Sequence, residues 1–167
     1  MVVMKTISGM SFGAICLLLL TACSSVPQKI TPTANHSVEC HATSEREIAG
    51  LFDRWNRSLQ TGNVHLVVAN YAERSILLPT LSNKPRITAK EKEDYFEHFL
   101  ENQPVGKIDF SFIEIGCNSA FDAGLYTFFF KKTGSTVAAR YTYTYAWDGK
   151  QWLITSHHSS VMPEANH

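Results

Sequence analysis

His157 and His158 stand side by side near the C-terminus, and each can give or take a proton near neutral pH. Adjacent side chains on a strand point to opposite faces, so the two cannot easily share a metal ion. No third ligand stands at a suitable spacing, and neither a metal site nor a cofactor is expected. Tyr95, Tyr126 and Tyr141 each offer an apolar ring with a hydroxyl at its end. Arg86 and Arg140 carry the planar fork of donors that suits a carboxylate. Each of these groups also has a plain structural reading, as a satisfied core residue or a solvated surface one. Four cysteines complete the set: Cys16, Cys23, Cys40 and Cys117. None forms the Cys-x-x-Cys pair of a redox centre.

The elements that must position these groups follow from the hydrophobic pattern. Ser44 with Glu47 has the form of a capping box, and Ile48, Leu51, Phe52, Trp55 and Leu59 recur at helical spacing behind it. Gly62 stops that helix, and Asn63 caps a second one that buries Val64, Val67, Val68 and Tyr71. Ser75 to Leu78 reads as a short strand closed by Pro79. Thr88 and Glu91 start a third helix, with Tyr95, Phe96, Phe99 and Leu100 inward and the charged run Lys90 to Asp94 as its solvated face. Four strands then follow, over Lys107–Ile115, Leu125–Lys131, Val137–Trp147 and Trp152–Val161. Gly134 with Ser135, and Asp148 with Gly149, mark the hairpin turns. This order predicts an α+β fold with helices on one face of a curved sheet.

Pairing the strands across those turns sorts the candidates. Tyr126, Phe128, Tyr141, Tyr143, Tyr145, Trp152, Ile154, Ser156, His158 and Ser160 are expected on one face, beneath the helices. Thr127, Arg140, Thr142, Thr144, Thr155, His157 and Ser159 are expected on the other. A slip of one residue in either turn would invert this. Tyr126, Tyr141 and His158 are then the best pocket groups, with Arg86 in the loop before the third helix. Among the acids, Asp109 falls opposite Phe110, Asp122 reads as a turn residue, and Glu114 shares the face expected for Ile108, Phe110 and Phe112. A Glu114–His158 acid/base pair is conceivable on that pattern.

The N-terminus has a different character. Lys5 precedes a short apolar block, Ile15 to Leu20, and then Leu20-Thr21-Ala22-Cys23. This is the layout of a signal peptide, too short for a comfortable membrane span of about 20 apolar residues. Leu-Thr-Ala-Cys resembles the bacterial lipobox, which implies cleavage before Cys23 and lipidation there. Ser24, in place of an Asp, favours the outer membrane facing the periplasm. Residues 1–22 are therefore expected as a signal peptide, 23–42 as a Ser-, Pro- and Thr-rich tether, and 43–163 as one domain. Contact with the membrane is expected through the lipid anchor only. Once Cys16 has left and Cys23 is lipidated, Cys40 and Cys117 remain as a pair in an oxidising compartment, and a disulfide between them is expected. Closing so long a loop is worth roughly 4 kcal/mol in the chain-entropy model. The 15 basic side chains balance 15 acidic ones and form no basic stripe, so no nucleic-acid partner is expected.

Several segments carry a family resemblance: Phe52-Asp53-Arg54-Trp55-Asn56, Leu77-Leu78-Pro79-Thr80, Ser82-Asn83-Lys84-Pro85-Arg86, Asp94 to Phe99, Asp122 to Tyr126, Arg140 to Tyr145, and Trp152 to Pro163 with His157-His158-Ser159-Ser160. Together they resemble the nuclear-transport-factor-two-like (SnoaL-like) superfamily. Within it they are similar to the association domain of calcium/calmodulin-dependent protein kinase II. The resemblance implies a cone-shaped, curved antiparallel sheet with three helices on its concave face and a deep pocket between them. It also implies self-association, as a homodimer or larger, and keeps Arg140 in play, because the kinase-type hub presents arginines to its pocket. No kinase motif is present. Tyr95, Arg86, Tyr126, Arg140, Tyr141, His157 and His158 are the ligand-binding candidates this leaves.

Two functions follow as expectations. One is an envelope-anchored assembly or binding module with a pocket for a small polar or aromatic ligand, without catalysis. The other is a small proton-transfer enzyme of isomerase, dehydratase or cyclase type in the same pocket. The anchor has a direct test. Labelled fatty acid should enter the wild-type chain in bacteria and not the Cys23→Ala variant; equal labelling of both would refute lipidation at Cys23.

Overall fold

The structure is a computed structural model that describes residues 39–164. The expected signal peptide, Cys23 and the tether up to Val38 lie outside the described residues. No helix among the described residues is long and apolar enough to cross a membrane. The elements run α1 (Glu45–Leu59), α2 (Val64–Val68), β1 (Tyr71–Leu78), α3 (Ala89–Leu100), β2 (Pro104–Gly116), β3 (Ser119–Phe130), β4 (Ser135–Trp147) and β5 (Trp152–Val161).

The helices start where the sequence expects. Ser44 accepts a hydrogen bond from the Glu47 amide, and Asn63 accepts one from the His65 amide. At α3 the capping box is complete, because Thr88 accepts from the Glu91 amide while the Glu91 carboxylate accepts from the Thr88 and Ile87 amides. Those two backbone bonds, with the Lys84 ammonium, hold the Glu91 carboxyl down to about 2. Lys92 departs from expectation. Its side chain is buried, with its amine donating to the carbonyls of Ser75 and Ile87, so the charged run Lys90 to Asp94 is not wholly a solvated face.

The sheet has five strands in the order β1-β5-β4-β3-β2. β2 to β5 are antiparallel, as expected, and β1 adds to the edge of β5 in parallel. β1 and β3 are longer than the sequence suggests. Asp122 is consequently not a turn residue: it lies inside β3, opposite Ile113 and Tyr143, and is buried.

Two bulges re-aim side chains. In β2, Asp109 is one residue too many between Ile108, opposite Tyr126, and Phe110, opposite Leu125. Ile108 therefore packs on the core while Phe110 and Phe112 turn outward and are exposed, so these three do not share a face. In β5, Thr155 is the extra residue between Ile154, opposite Tyr145, and Ser156, opposite Thr144. From there on, His157 and Ser159 point under the helices and His158 points away, which reverses the expected order.

The core lies between the helices and the inner face of the sheet. Trp55 is its centre, with ring contacts to Phe52, Phe96, Phe128, Tyr143 and His157. Burying a side chain of this size stabilises by about 3 kcal/mol. Asn56 fastens α1 to the edge strand, giving a hydrogen bond to the Gly106 carbonyl and taking one from its amide, both at 2.8 Å. Only a glycine lets Phe52 and Phe128 pack so closely there. Arg54 donates to Asn70 and to the Trp152 carbonyl, tying α1 to the start of β5.

At the far end of the sheet, Cys40 and Cys117 form the expected disulfide. Asn118 accepts from the His41 amide and donates to the Glu39 carbonyl, and the His41 ring lies flat on Trp147 at 3.6 Å. The N-terminal segment is thus clamped to the tip of the β2–β3 hairpin.

Candidate functional site

A cavity of about 500 Å³ opens between α3 and the half of the sheet that contains Phe130, Val137 and Ser159. Its wall is aromatic, made by Trp55, Phe96, Phe99, Phe128 and Phe130. The polar side chains on it are Thr80, Arg86, Asp94, Tyr95, His98, Asn102, Tyr126, His157 and Ser159. Such a mainly apolar cavity with a small set of convergent polar groups is the usual form of a small-molecule site.

Each polar group is held by its element. Pro79 ends β1, and the chain returns so that Arg86 exchanges two backbone hydrogen bonds of 2.9 Å with Leu77. That bridge pins Arg86 at the cavity. Its Nη2 reaches Ser82 at 3.3 Å, its guanidinium stands 5.9 Å from the centre of the Tyr95 ring, and its Nε is buried without an acceptor. No carboxylate among the described residues pairs with it. Burial drives the Tyr95 hydroxyl up to about 12, and Arg86 pulls the other way. Tyr126 is raised further, again by burial, so both phenols stay protonated and can donate. The hydroxyls of Thr80 and Ser159 are hydrogen-bonded to each other on the same wall.

His157 is the most perturbed group. Its Nδ1 lies 2.9 Å from the Tyr71 hydroxyl, its ring stacks on Tyr143 at 4.1 Å, and the edge of Trp55 meets it at 5.4 Å. Its Nε2 is buried with no partner. Burial, and secondarily the neighbouring His158, lower its pKa to about 3, so the ring is neutral at pH 7. A base so weak is poorly matched to proton abstraction at neutral pH.

The structure brings together four of the seven candidates: Arg86, Tyr95, Tyr126 and His157. The other three lie elsewhere. Tyr141 is buried on the inner face, but its hydroxyl donates to Asp122 at 2.9 Å, away from the cavity lining. Arg140 is exposed on the outer face, opposite Ser160. His158 is exposed there too, beside Leu78 and Thr142, because the Thr155 bulge turned it outward. Glu114 is exposed on the edge strand, so it forms no pair with His158.

Thr80, His98, Asn102 and Ser159 on the cavity, and the buried Asp122, were not among the candidates. Thr80 follows the strand-ending proline, and Ser159 shares the alternation of His157. Asp122 stands four residues before Tyr126, hence on the same face, once β3 is extended back to Ser119. It accepts from Ser111 at 2.6 Å and from Tyr141, yet burial outweighs both bonds and raises its pKa.

His157 and Asp122 give opposite pH signatures. His157 binds its proton less readily folded than unfolded, so its contribution to stability falls as pH drops from about 6.5 toward about 3. The loss between pH 7 and pH 5 is about 2 kcal/mol. Asp122 has a raised folded pKa, so its contribution is present at low pH and is lost as pH rises through that value. Urea unfolding from pH 5 to 8 should show a shallower acid-side loss in His157→Gln, and unchanged or higher stability at pH 7 in Asp122→Asn. Parallel pH curves for wild type and His157→Gln would contradict the buried neutral ring.

Comparison with known proteins agrees with this architecture. No curated relative matches the chain. A crystal structure from Xanthomonas campestris, provisionally assigned as a calcium/calmodulin dependent protein kinase II association domain, is 44% identical, with a TM-score of 0.71 over 78% of this chain and 99% of that one. An NTF2-like protein from Pseudomonas putida is 17% identical, with a TM-score of 0.63 over 73% of this chain and 89% of that one. The iota-carbonic anhydrase from a cyanobacterium, in complex with bicarbonate, is 19% identical, with a TM-score of 0.65 over 74% and 95%. The last two likenesses establish the shared NTF2-like fold alone. Residues 44–163 match the family model itself, and this chain belongs to the calcium/calmodulin dependent protein kinase II association domain family.

Proposed function

We propose that this protein is a self-associating, non-catalytic binding module, anchored in the bacterial envelope through Cys23, whose cavity takes a small polar or aromatic ligand. The observation that carries the binding reading is the composition of the cavity wall. It offers hydroxyls, one guanidinium, the Asn102 amide, the imidazoles of His98 and His157 and aromatic carbon, but no buried acid. Asp94, its one carboxylate, is exposed, and the buried Asp122 is not part of the lining. A proton-transfer site needs an acid or base on the cavity whose pKa suits neutral pH, and His157, the perturbed base there, is held too low by burial.

Self-association rests on the family and on the outer face of the sheet. Phe110, Phe112 and Phe129 are 58%, 51% and 43% exposed there, an apolar surface larger than the sequence suggested. Phe121 packs on Phe112, and Leu125, Leu153, Arg140 and His158 lie on the same face; His157, once expected with them, does not. Monomers rarely leave so contiguous a patch bare, and a two-fold axis lets one such patch meet itself.

A proton-transfer enzyme is the second reading. The hydrogen-bonded Thr80–Ser159 hydroxyls beside His157 favour it, as does a carbonic anhydrase among the proteins of similar fold. The low basicity of His157 weighs against it.

Light scattering on the delipidated protein at micromolar concentration should give a dimer or larger. Phe129→Glu, which places charges in the patch, should yield a folded monomer. A wild-type monomer would overturn the self-association reading.

A further inference from the structure

Residues 39–43 belong to no helix or strand, yet both residues of the β2–β3 turn bind them. Cys117 is bonded to Cys40, and the Asn118 side chain accepts from the His41 amide at 2.7 Å and donates to the Glu39 carbonyl at 2.9 Å. Asn118 holds this position with a φ of 55°, in the left-handed region that Asn enters more readily than most residues. Its own carbonyl accepts from the Trp147 amide, which joins the turn to the end of β4, where the His41 ring lies on Trp147. The β2–β3 and β4–β5 turns therefore share one end of the sheet with the point where the N-terminal chain enters. The cavity lies toward the other end, with Phe130, Val137 and Ser159. Between these ends β3 runs from Ser119 to Phe130, which at about 3.3 Å per residue is a distance of ~36 Å.

We propose that the Cys40–Cys117 bond is an orienting strap: it makes the β2–β3 tip the end of the domain nearest the lipid surface and turns the opposite end of the sheet toward the aqueous compartment. This deepens the envelope-anchored reading and rests on lipidation at Cys23. Residues 24–39 separate Cys23 from Cys40. Even fully extended, those residues reach no more than ~54 Å. To bring the β3–β4 turn to the bilayer, the chain would have to run back along the sheet and use about two thirds of that reach. Without the bond the folded body begins at Ser44, the cap of α1, and the chain between lipid and body grows to residues 24–43. The tip does not adhere by its own charge. Glu39, Glu114 and Asp148 are exposed there against Lys150, an acidic balance that an anionic lipid surface repels. Orientation therefore comes from where the chain is fastened, and the fastening is covalent across 77 residues of sequence. The cavity is thereby presented to solutes in water and not to the lipid.

The test reads fluorescence energy transfer from the domain to the bilayer. It uses the lipidated full chain in vesicles of phosphatidylethanolamine and phosphatidylglycerol, with a rhodamine-headgroup lipid as acceptor. The donor dye is coupled to p-acetylphenylalanine in place of Lys150, in the β4–β5 turn at the tip, or of Lys132, in the β3–β4 turn; both lysines are exposed. Transfer from position 150 should exceed transfer from position 132 by about two-fold or more. About twelve Gly and Ser residues inserted after Ser25, outside the folded domain, should bring the two toward equality, as should Cys40→Ser with Cys117→Ser. Equal transfer from both positions in the wild type, or stronger transfer from position 132, overturns the orientation and leaves the anchor reading standing. A preference that survives both the insertion and the double serine substitution overturns the strap as its cause. A wild-type chain that does not float with the vesicles, or floats no better than Cys23→Ala, overturns the anchor reading and the orientation with it.

Discussion

Between Ile154 and Ser156 the last strand carries Thr155, one residue more than β4 sets against it, and the composition of the cavity depends on that insertion. Without it the strand would keep strict alternation from Ile154, and His158 would point beneath the helices in place of His157. With it, His157 falls opposite Tyr143 and within reach of the Tyr71 hydroxyl, and Ser159 falls opposite Tyr141 beside Thr80. Thr155 itself is satisfied on the outer side, where its hydroxyl bonds Thr144. The ring contacts of His157 with Tyr143 and Trp55 make this arrangement favourable, since aromatic pairs add about 1 kcal/mol each beyond simple burial.

Scaffold and site differ in how their buried polar groups are used. Asn56, Arg54, Asn70 and Lys92 have partners in the fold, and bonds from each tie separate elements together, Asn70 by donating to Ser58 of α1. Asp122 is held the same way by Ser111 and Tyr141, at the cost of a carboxylate in an apolar place. Around the cavity the pattern changes. The Arg86 Nε and the His157 Nε2 lack partners inside the protein. Unpaired polar atoms are rare in folded proteins because they are expensive; the Trp55 Nε1 joins these two on the cavity lining, while the Tyr143 and Tyr145 hydroxyls and the Trp152 Nε1 are likewise unpaired in the core beyond it.

Much of this was legible in the sequence, for physical reasons that are local. The caps Ser44, Asn63 and Thr88 act on the next turn of backbone, and the hairpin residues Gly134 and Gly149 adopt the positive φ those turns require. Cys40 and Cys117 could be matched by counting. The family was legible too, from segments spread over the whole domain. The bulges were not. Thr155 sits in Ile154-Thr155-Ser156-His157-His158-Ser159-Ser160, where no run of apolar residues marks a face, and Asp109 sits in Ile108-Asp109-Phe110-Ser111-Phe112, whose regular alternation conceals an extra residue; in both the register is decided by tertiary packing. Lys92 escaped for a related reason. Its charge reads as solvent-facing, but its long stem lets the amine reach two carbonyls that only the β1–α3 arrangement brings near. Arg86 was recognisable as a loop arginine, while its position at the cavity comes from the bridge to Leu77, a contact made across the loop.

The account turns on which histidine lies under the helices, and ring-selective NMR of the two reads this directly. Through-space contacts should connect the His157 ring to the rings of Trp55, Tyr71 and Tyr143, and its nitrogens should keep the shifts of a neutral imidazole from pH 8 down to pH 5. Contacts from His158 to those three rings, or a His157 ring that gains its proton within that range, would contradict the register and the cavity built on it.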